Sequence, residues 1–237
     1  MEYITYPNDF YNTCLNLYCE DKTLLNKDTV IKKDSFGIQI KYKYDNEYIN
    51  GLNFTLFENN LKWNELSTGF FETDKFTNNL KMNIILNDTI FIDFIKVLEK
   101  YLKTMLLENK NFNKYIINIK ETVTIKDSVS YFNNIKFNYF IKNNDKKIMS
   151  KIYIKKKQDG NINTVLMTEE EIEQCINTGF YILPIISLKT LYIKKQNKTL
   201  NVYPHFHLYS VTLYNKYKQD MNDSILDKKC NIDEDGY

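Results

Sequence analysis

The chain has 237 residues, 43% hydrophobic and 26% charged, which is enough apolar material for one large all-β or α+β domain with an appendage. No run approaches 18 uninterrupted apolar residues and the first residues are polar and aromatic, which argues against a membrane span and a signal peptide. The formal net charge of +2 is uneven, because residues 220–237 hold six acids against Lys228 and Lys229 and leave a more basic body.

The first third of the chain predicts a short helix followed by strands. Residues 8–20 place apolar side chains on one helical face. Residues 36–44 alternate apolar and polar side chains with period two, as a half-buried strand does. Residues 52–63 indicate a hairpin, and residues 80–86 form an apolar run of strand length.

The clearest predicted helix covers residues 88–109 and begins after a cap at Asn87 or Asp88. Apolar side chains recur there at spacings of three and four, and lysines and glutamates fill the opposite face. Four further apolar runs predict strands at residues 115–125, 135–141, 148–154 and 162–167.

The last third predicts a second helix and a long hairpin. A capping box from Thr168 to Glu171 begins a short helix that we expect to end at Gly179. Strands at residues 180–193 and 200–214 follow, joined by a lysine-rich turn. Because strands outnumber helices and the helices interrupt them, we expect an α+β, predominantly β chain: a small barrel elaborated with inserted helices and hairpins.

Apolar density falls beyond residue 218, so the predicted organisation is one domain at residues 1–218 and an acidic flexible tail at 219–237. Such a tail can occupy a basic groove until a polyanion displaces it, or dock on a partner protein. The alternative is an ordinary terminus that charge keeps soluble. The tail residues singled out for regulation are Asp233, Glu234, Asp235 and Tyr237.

All 32 basic residues are lysines, and the chain contains neither Arg nor Ala. The abundant Asn, Ile, Lys, Tyr and Phe have AT-rich codons, so part of the lysine and tyrosine content reflects an AT-rich genome. A lysine ammonium cannot form the bidentate fork with which Arg reads guanine. Sequence-specific reading of duplex DNA is therefore disfavoured, whereas electrostatic tracking of a phosphate backbone is not.

Lysines and aromatic residues cluster on the predicted strands. Residues 142–157 carry seven lysines, which form either one wall of an electrostatic groove or a solvated loop. Aromatic side chains beside lysines can stack on nucleic-acid bases, for about 1–3 kcal/mol per base, although most aromatics in such a chain must pack the core. The candidates are Tyr42, Tyr44, Trp63, Tyr153, Tyr192, Tyr203 and Phe206.

Metal and catalytic signals are weak. His205 and His207 are the only histidines, and their spacing puts them on the same side of a strand without a third ligand nearby. The four cysteines form no CxxC pair, which fits a reducing intracellular compartment. With neither a phosphate-binding glycine loop nor an evident Ser-His-Asp set, we expect no metal, no cofactor and no enzymatic activity.

Residues 179–193 form an apolar strand that is broken by Pro184. Together with the lysine turn and the strand at 200–214, this segment resembles part of a known viral family. They are similar to the closing segment of replicative single-stranded DNA-binding proteins of poxviruses and other nucleocytoplasmic large DNA viruses. The strand–turn–strand at 52–63 and the helix after Asp88 fall in a similar order. The acidic tail with its terminal aromatic resembles that of phage single-stranded DNA-binding proteins.

This resemblance implies an OB-type barrel, sequence-independent binding of single strands, self-association along DNA and work at viral replication sites in the host cytoplasm. We expect the protein to coat and protect single strands during replication, recombination or repair, and to recruit replication proteins through its tail. We expect no membrane partner. The main alternative is a viral protein-interaction module, virulence or structural, and a nuclease or transferase ranks third. The expected nucleic-acid-binding residues are Lys41, Tyr42, Lys43, Tyr44, Lys62, Trp63, Lys151, Tyr153, Lys155, Lys189, Tyr192 and Lys194.

Overall fold

The computed structural model describes residues 34–44, 47–55, 67–75, 77, 79–87, 89–142, 145–158 and 161–216. These residues form an α+β, mainly β structure with two helices, α1 (Thr89–Glu108) and α2 (Glu169–Gln174). Its strands are β1 (Ser35–Gln39), β2 (Lys41–Tyr44), β3 (Glu47–Asn50), β4 (Leu52–Thr55), β5 (Ser67–Thr73), β6 (Leu80–Leu86), β7 (Ile116–Ile119), β8 (Val123–Lys126), β9 (Val129–Phe137), β10 (Tyr139–Lys142), β11 (Asp145–Ile148), β12 (Lys151–Gln158), β13 (Asn161–Leu166), β14 (Gly179–Gln196) and β15 (Thr199–Lys216).

A long antiparallel hairpin of β14 and β15 is the axis of the main sheet. Each strand has 18 residues, and the turn at Asn197 and Lys198 uses a φ of 54° at Asn197, which asparagine tolerates. The outer edge of β14 pairs antiparallel with β5, β4 and β1. The outer edge of β15 pairs parallel with β12, β9 and β7.

The two edges of this hairpin are connected through further strands. β5 pairs with β6, β6 with β9, and β9 with β15, which pairs with β14 and so leads back to β5. Of these five pairings, β9–β15 is parallel and the other four are antiparallel. The hydrogen-bonded pairs therefore form a circuit of five strands.

Helix α1 reaches the hairpin through phenylalanines of β4 and β9. Its Phe91 and Phe94 lie 6.0 and 5.2 Å, between ring centroids, from Phe54 of β4. Phe206 of β15 lies 4.9 Å from Phe132 of β9, and none of these five side chains is more than 3% exposed. Burial of such a ring stabilises the fold by roughly 1.5–3 kcal/mol. Alternate residues are thus buried in the core over residues 191–194 of β14 and 202–208 of β15, and the residues between them are more exposed.

The long periodic elements agree with the sequence predictions. β6 covers the predicted residues, and α1 lies one residue inside the predicted helix at each end. The capping box is present, since Glu171 N donates to Thr168 Oγ1 and Thr168 N donates to the Glu171 carboxylate. The short helix ends earlier than Gly179, because Cys175 caps it and Ile176 then bridges to Phe71.

Several predicted strands are in fact two. The run at 36–44 divides at Ile40, where the β2–β3 hairpin leaves the main sheet. The run at 115–125 divides into β7 and β8, and those at 135–141 and 148–154 divide around the β10–β11 hairpin. β5 was not predicted. The helix at 8–20, residues 56–63 of the predicted hairpin and the tail lie outside the described residues.

Candidate nucleic-acid interface

The outward side of the β14–β15 hairpin is polar, aromatic and basic. Residues directly opposite each other in an antiparallel pair project to the same side, so the register defines three adjacent rows. They pair Tyr192 with Tyr203, Thr190 with His205, and Ser187 with His207. We call this surface the hairpin face; its residues are Ser187, Lys189, Thr190, Tyr192, Lys194, Tyr203, His205 and His207.

The aromatic centre of the hairpin face is Tyr192. Its ring is stacked on the His205 imidazole, with centroids 5.7 Å apart and planes within 10°, and Tyr203 lies 6.2 Å away. On the other edge of β14, Tyr192 pairs with Gly37 of β1, which has no side chain to place beside the ring. Tyr192 is 37% exposed, so part of a flat aromatic surface is open to solvent.

A row of basic residues crosses the sheet next to this centre. His207 pairs with Lys136 of β9, and Lys136 pairs with Lys81 of β6. Lys81 Nζ lies 3.5 Å from a Glu72 carboxylate oxygen. Within the described part of the chain, none of the ion pairs involves Lys136, Lys189 or Lys194. The hairpin face therefore has lysines without a carboxylate partner among these residues.

This positive charge affects the two histidines. Burial, with contributions from the ammonium groups of Lys189 and Lys136 in the same direction, lowers the pKa of His207 to about 4. Burial, with a contribution from Lys136, likewise lowers the pKa of His205 to about 4. Burial also lowers the pKa of Lys189. Both imidazoles are therefore neutral at neutral pH, and an anion placed here would offset the repulsion between the lysines.

Lys189 lies at the bases of two hairpins. Its carbonyl accepts a hydrogen bond from Ile40 N at 2.8 Å, where β2–β3 begins, and Gly51 N donates to Ile40 O at 2.8 Å, where that hairpin ends. Its Nζ donates to Asn138 Oδ1 at 3.0 Å, where β10–β11 begins. The backbone of both hairpins therefore starts at the border of the hairpin face.

The structure brings some of the expected binding residues together. Lys189, Tyr192 and Lys194 share the hairpin face. The segment Lys41–Tyr44 forms β2, whose hairpin starts beside Lys189. Lys62 and Trp63 lie outside the described residues, as do the tail residues Asp233, Glu234, Asp235 and Tyr237.

The other expected group lies farther along the sheet. On β12, Lys151, Tyr153 and Lys155 alternate with Ile152 and Ile154, which pack on the core. Tyr153 pairs with Thr212 of β15, nine residues beyond Tyr203, which corresponds to roughly 30 Å at the rise of an extended strand. These residues form a second basic and aromatic group rather than part of the hairpin face.

One stacking candidate is wrong and two basic residues were missed. Phe206 is only 3% exposed and packs against Phe132, because it alternates with the outward-facing histidines. The prediction that His205 and His207 face the same side is confirmed. Lys81 and Lys136 form a basic row beside the hairpin face through pairing between distant segments, and period-two patterning within each strand was the only sequence signal available for them.

Among the described residues, no group of three or more His, Cys, Asp or Glu side chains is arranged to hold a metal ion. In that same part of the chain, no helix combines the length and apolarity needed to cross a membrane. A scan against protein-family models finds no match to this chain, and a search of curated proteins finds no significant relative. Function is therefore inferred from the geometry of the hairpin face.

Proposed function

We propose that the protein is a sequence-independent single-stranded DNA-binding protein that holds the strand on its hairpin face. The observation that carries this proposal is that Lys136, Lys189 and Lys194, without carboxylate partners in the described part of the chain, share one sheet with the exposed ring of Tyr192. Ammonium groups neutralise phosphates, and an open aromatic ring stacks on any unpaired base. Lysines without Arg suit backbone contacts more than base reading.

An OB-like barrel is the fold that we propose for this activity. In chain order, the five strands of the hydrogen-bonded circuit are β5, β6, β9, β14 and β15. An OB barrel joins its strands in the order first, second, third, fifth, fourth and back to the first, with a parallel pair between third and fifth. The observed pairings follow this order, including the parallel pair β9–β15, which supports the proposal.

The basic row also supports this assignment. OB barrels bind oligonucleotides on the face of their second and third strands and through adjacent loops. Lys81 lies on β6 and Lys136 on β9, which are the second and third strands of the circuit. In this proposal the strand crosses β6, β9 and β15 and reaches Tyr192 on β14.

The biological setting that we propose is coating and protection of single strands during viral DNA replication, recombination or repair in the host cytoplasm. Neighbouring copies would self-associate along the strand, because continuous coating requires contacts between them. The acidic tail would regulate access to the basic surface or recruit replication proteins. The family resemblance and the uneven charge support these parts of the proposal.

Fluorescence anisotropy of labelled oligothymidine tests the proposal. We expect binding that weakens with salt, with a log–log slope of about −0.7 per phosphate neutralised. Lys136→Ala should make the slope shallower by about 0.7, and Tyr192→Ala should cost about 1–3 kcal/mol of binding free energy. Lys103→Ala, on the exposed side of α1, is the matched control and should match the wild type.

The proposal fails if wild-type protein does not bind oligothymidine at low ionic strength. It also fails if Lys103→Ala and Lys136→Ala weaken binding equally, because the lysines would then act as diffuse charge rather than as a site.

A protein-interaction module is the second candidate function, and β13 favours it. This strand lies at one end of the described sheet order and exposes Val165 at 37% and Leu166 at 57%. Apolar side chains on an edge strand are a common means of pairing with another chain. If Leu166→Lys abolishes binding to a partner while oligothymidine affinity is absent in the wild type, this function replaces the first.

A further inference from the structure

Two buried polar side-chain atoms in the described part of the chain have no hydrogen-bond partner: Ser187 Oγ and His207 Nδ1. They belong to residues that lie directly opposite each other on β14 and β15. An unpaired buried donor or acceptor is destabilising, and native structures rarely leave one without a reason. Two of them in one cross-strand pair indicate a shared role.

The other ring nitrogen of His207 is in a different position. Nε2 is not one of the buried atoms without a partner, and it makes no hydrogen bond with the described residues. Lys136 is the neighbour of His207 on β9, and both Lys136 and Lys189 act on its imidazole electrostatically. Since the ring is neutral at neutral pH, it carries one proton, and the nitrogen that holds it determines what the ring can bind.

We propose that Ser187 is a positioning residue that keeps the proton of His207 on Nε2, and that Nε2–H forms with the ammonium groups of Lys136 and Lys189 a subsite for one phosphate of the bound strand. This inference rests on the proposed function and names the residues that contact a backbone phosphate. In this proposal the Ser187 hydroxyl turns toward Nδ1 and donates to it, a bond that the structure itself does not show, and this bond provides a partner for both buried atoms. Nε2–H is then available as a donor at the surface.

The surroundings hold these groups in place. At Gly51, where φ is 86°, an added Cβ would lie 2.7 Å from Ser187 Oγ and 3.0 Å from Lys189 Cγ, so the absence of a side chain at Gly51 leaves room for both groups. Lys189 Nζ is held by Asn138 Oδ1 at 3.0 Å. A phosphate oxygen here would meet donors that are already oriented, which lowers the ordering cost of binding.

His205 shows why the serine matters. It lies one row away on the same strand, opposite Thr190, and its ring is stacked on Tyr192. Stacking suits a ring that supports a base, whereas His207 has a buried hydroxyl opposite it and basic groups beside it. The two histidines therefore have different roles on one face.

Long-range proton–nitrogen NMR correlation identifies the tautomer of each histidine, and the chain has only two. In the wild type we expect His207 to carry its proton on Nε2. In Ser187→Ala we expect a mixture of both tautomers at His207, with His205 as an unchanged internal reference. Folding should be retained, because the deleted hydroxyl makes no hydrogen bond in the described part of the chain besides the proposed one to Nδ1.

Oligothymidine affinity tests the subsite itself. Ser187→Ala and His207→Ala should each weaken binding about fivefold, the effect of one lost hydrogen bond. His207→Gln should restore most of the affinity, because its amide nitrogen can donate from near the position of Nε2, and Lys103→Ala again serves as the unaffected control. Titration with inorganic phosphate should shift the His207 resonances before those of His205.

Two results would overturn the inference: His207 protonated on Nδ1 in the wild type, or Ser187→Ala with unchanged tautomer and affinity. If oligothymidine binds tightly but His207→Ala has no effect, the subsite fails and the proposed function stands. If phosphate shifts His207 but oligothymidine does not bind, the anion subsite stands and the proposed function fails.

Discussion

At Gly51 the backbone adopts a φ of 86°, and a side chain added there would meet Ser187 Oγ at 2.7 Å. Both the left-handed conformation and the close approach require glycine. We expect Gly51→Ala to lower the free energy of unfolding by about 1–3 kcal/mol, measured by urea denaturation.

Gly37→Ala is the matched control for this change. Its nearest contact would be the Thr190 methyl at 3.3 Å, and its φ lies outside the left-handed region. We expect an effect of less than about 1 kcal/mol there. Equal destabilisation by the two substitutions would show that strain at Gly51 does not matter.

At the scale of single residues, alternation within a strand predicts which side chains share a side but not which side is buried. It placed His205 and His207 together, yet it could not show that Phe206 between them faces the core. That choice depends on the core, where the α1 phenylalanines pack on Phe54 and Phe132, and these two rings pack on Phe206. Lys136 was missed because it reaches His207 only through the pairing of β9 with β15.

The element that positions one border of the hairpin face is the β10–β11 hairpin, and Ser150 attaches it. Ser150 Oγ donates to Leu208 O at 2.6 Å and accepts from Asn138 N at 2.9 Å, and Ser150 is only 6% exposed. Ser150→Ala leaves the partly buried Asn138 N–H without this partner, so we expect a loss of about 1–3 kcal/mol in stability. Hydrogen exchange should also become faster at Asn138 and in β10.

Thr104→Ala is the control for the loss of a hydroxyl. Thr104 Oγ1 donates to Lys100 O on the exposed part of α1, so its removal should change stability by no more than about 0.5 kcal/mol. If Ser150→Ala were equally mild and β10 exchanged at the wild-type rate, Ser150 would not attach the hairpin.

At the scale of elements, long periodic segments such as α1, β6, β14 and β15 could be predicted because one face of each packs on the core. Breaks inside apolar runs could not. At Ile40 and at Asn138 the chain leaves the main sheet to form a hairpin, and the residues on both sides keep a strand-like pattern. β5 escaped prediction because Ser67, Thr68 and Gly69 occupy three of its seven positions.

At the scale of the whole molecule, the five-strand circuit joins segments that lie far apart in sequence, so local patterns carry no information on their order. The pairing of β9 with β15 joins residues about 70 positions apart, and the pairing of β5 with β14 spans more than 100. The candidate site shares this property, since its lysines come from β6, β9 and β14. Composition predicted a basic, aromatic surface, and the topology determined which lysines belong to it.

Charge balance is also a property of the whole molecule, and it leads to a prediction for the tail. Residues 219–237 are net acidic, so deleting them makes the remaining chain more positive. We expect the deletion to tighten oligothymidine binding about three- to tenfold at low salt, because long-range attraction increases. The gain should vanish near 1 M salt, where the screening length is about 3 Å.

A tail of scrambled order keeps the same charge and should restore wild-type affinity if attraction alone is responsible. Failure to restore it would indicate specific docking of the terminal acids and Tyr237. Unchanged affinity of the deletion variant at low salt would contradict any role of the tail in binding.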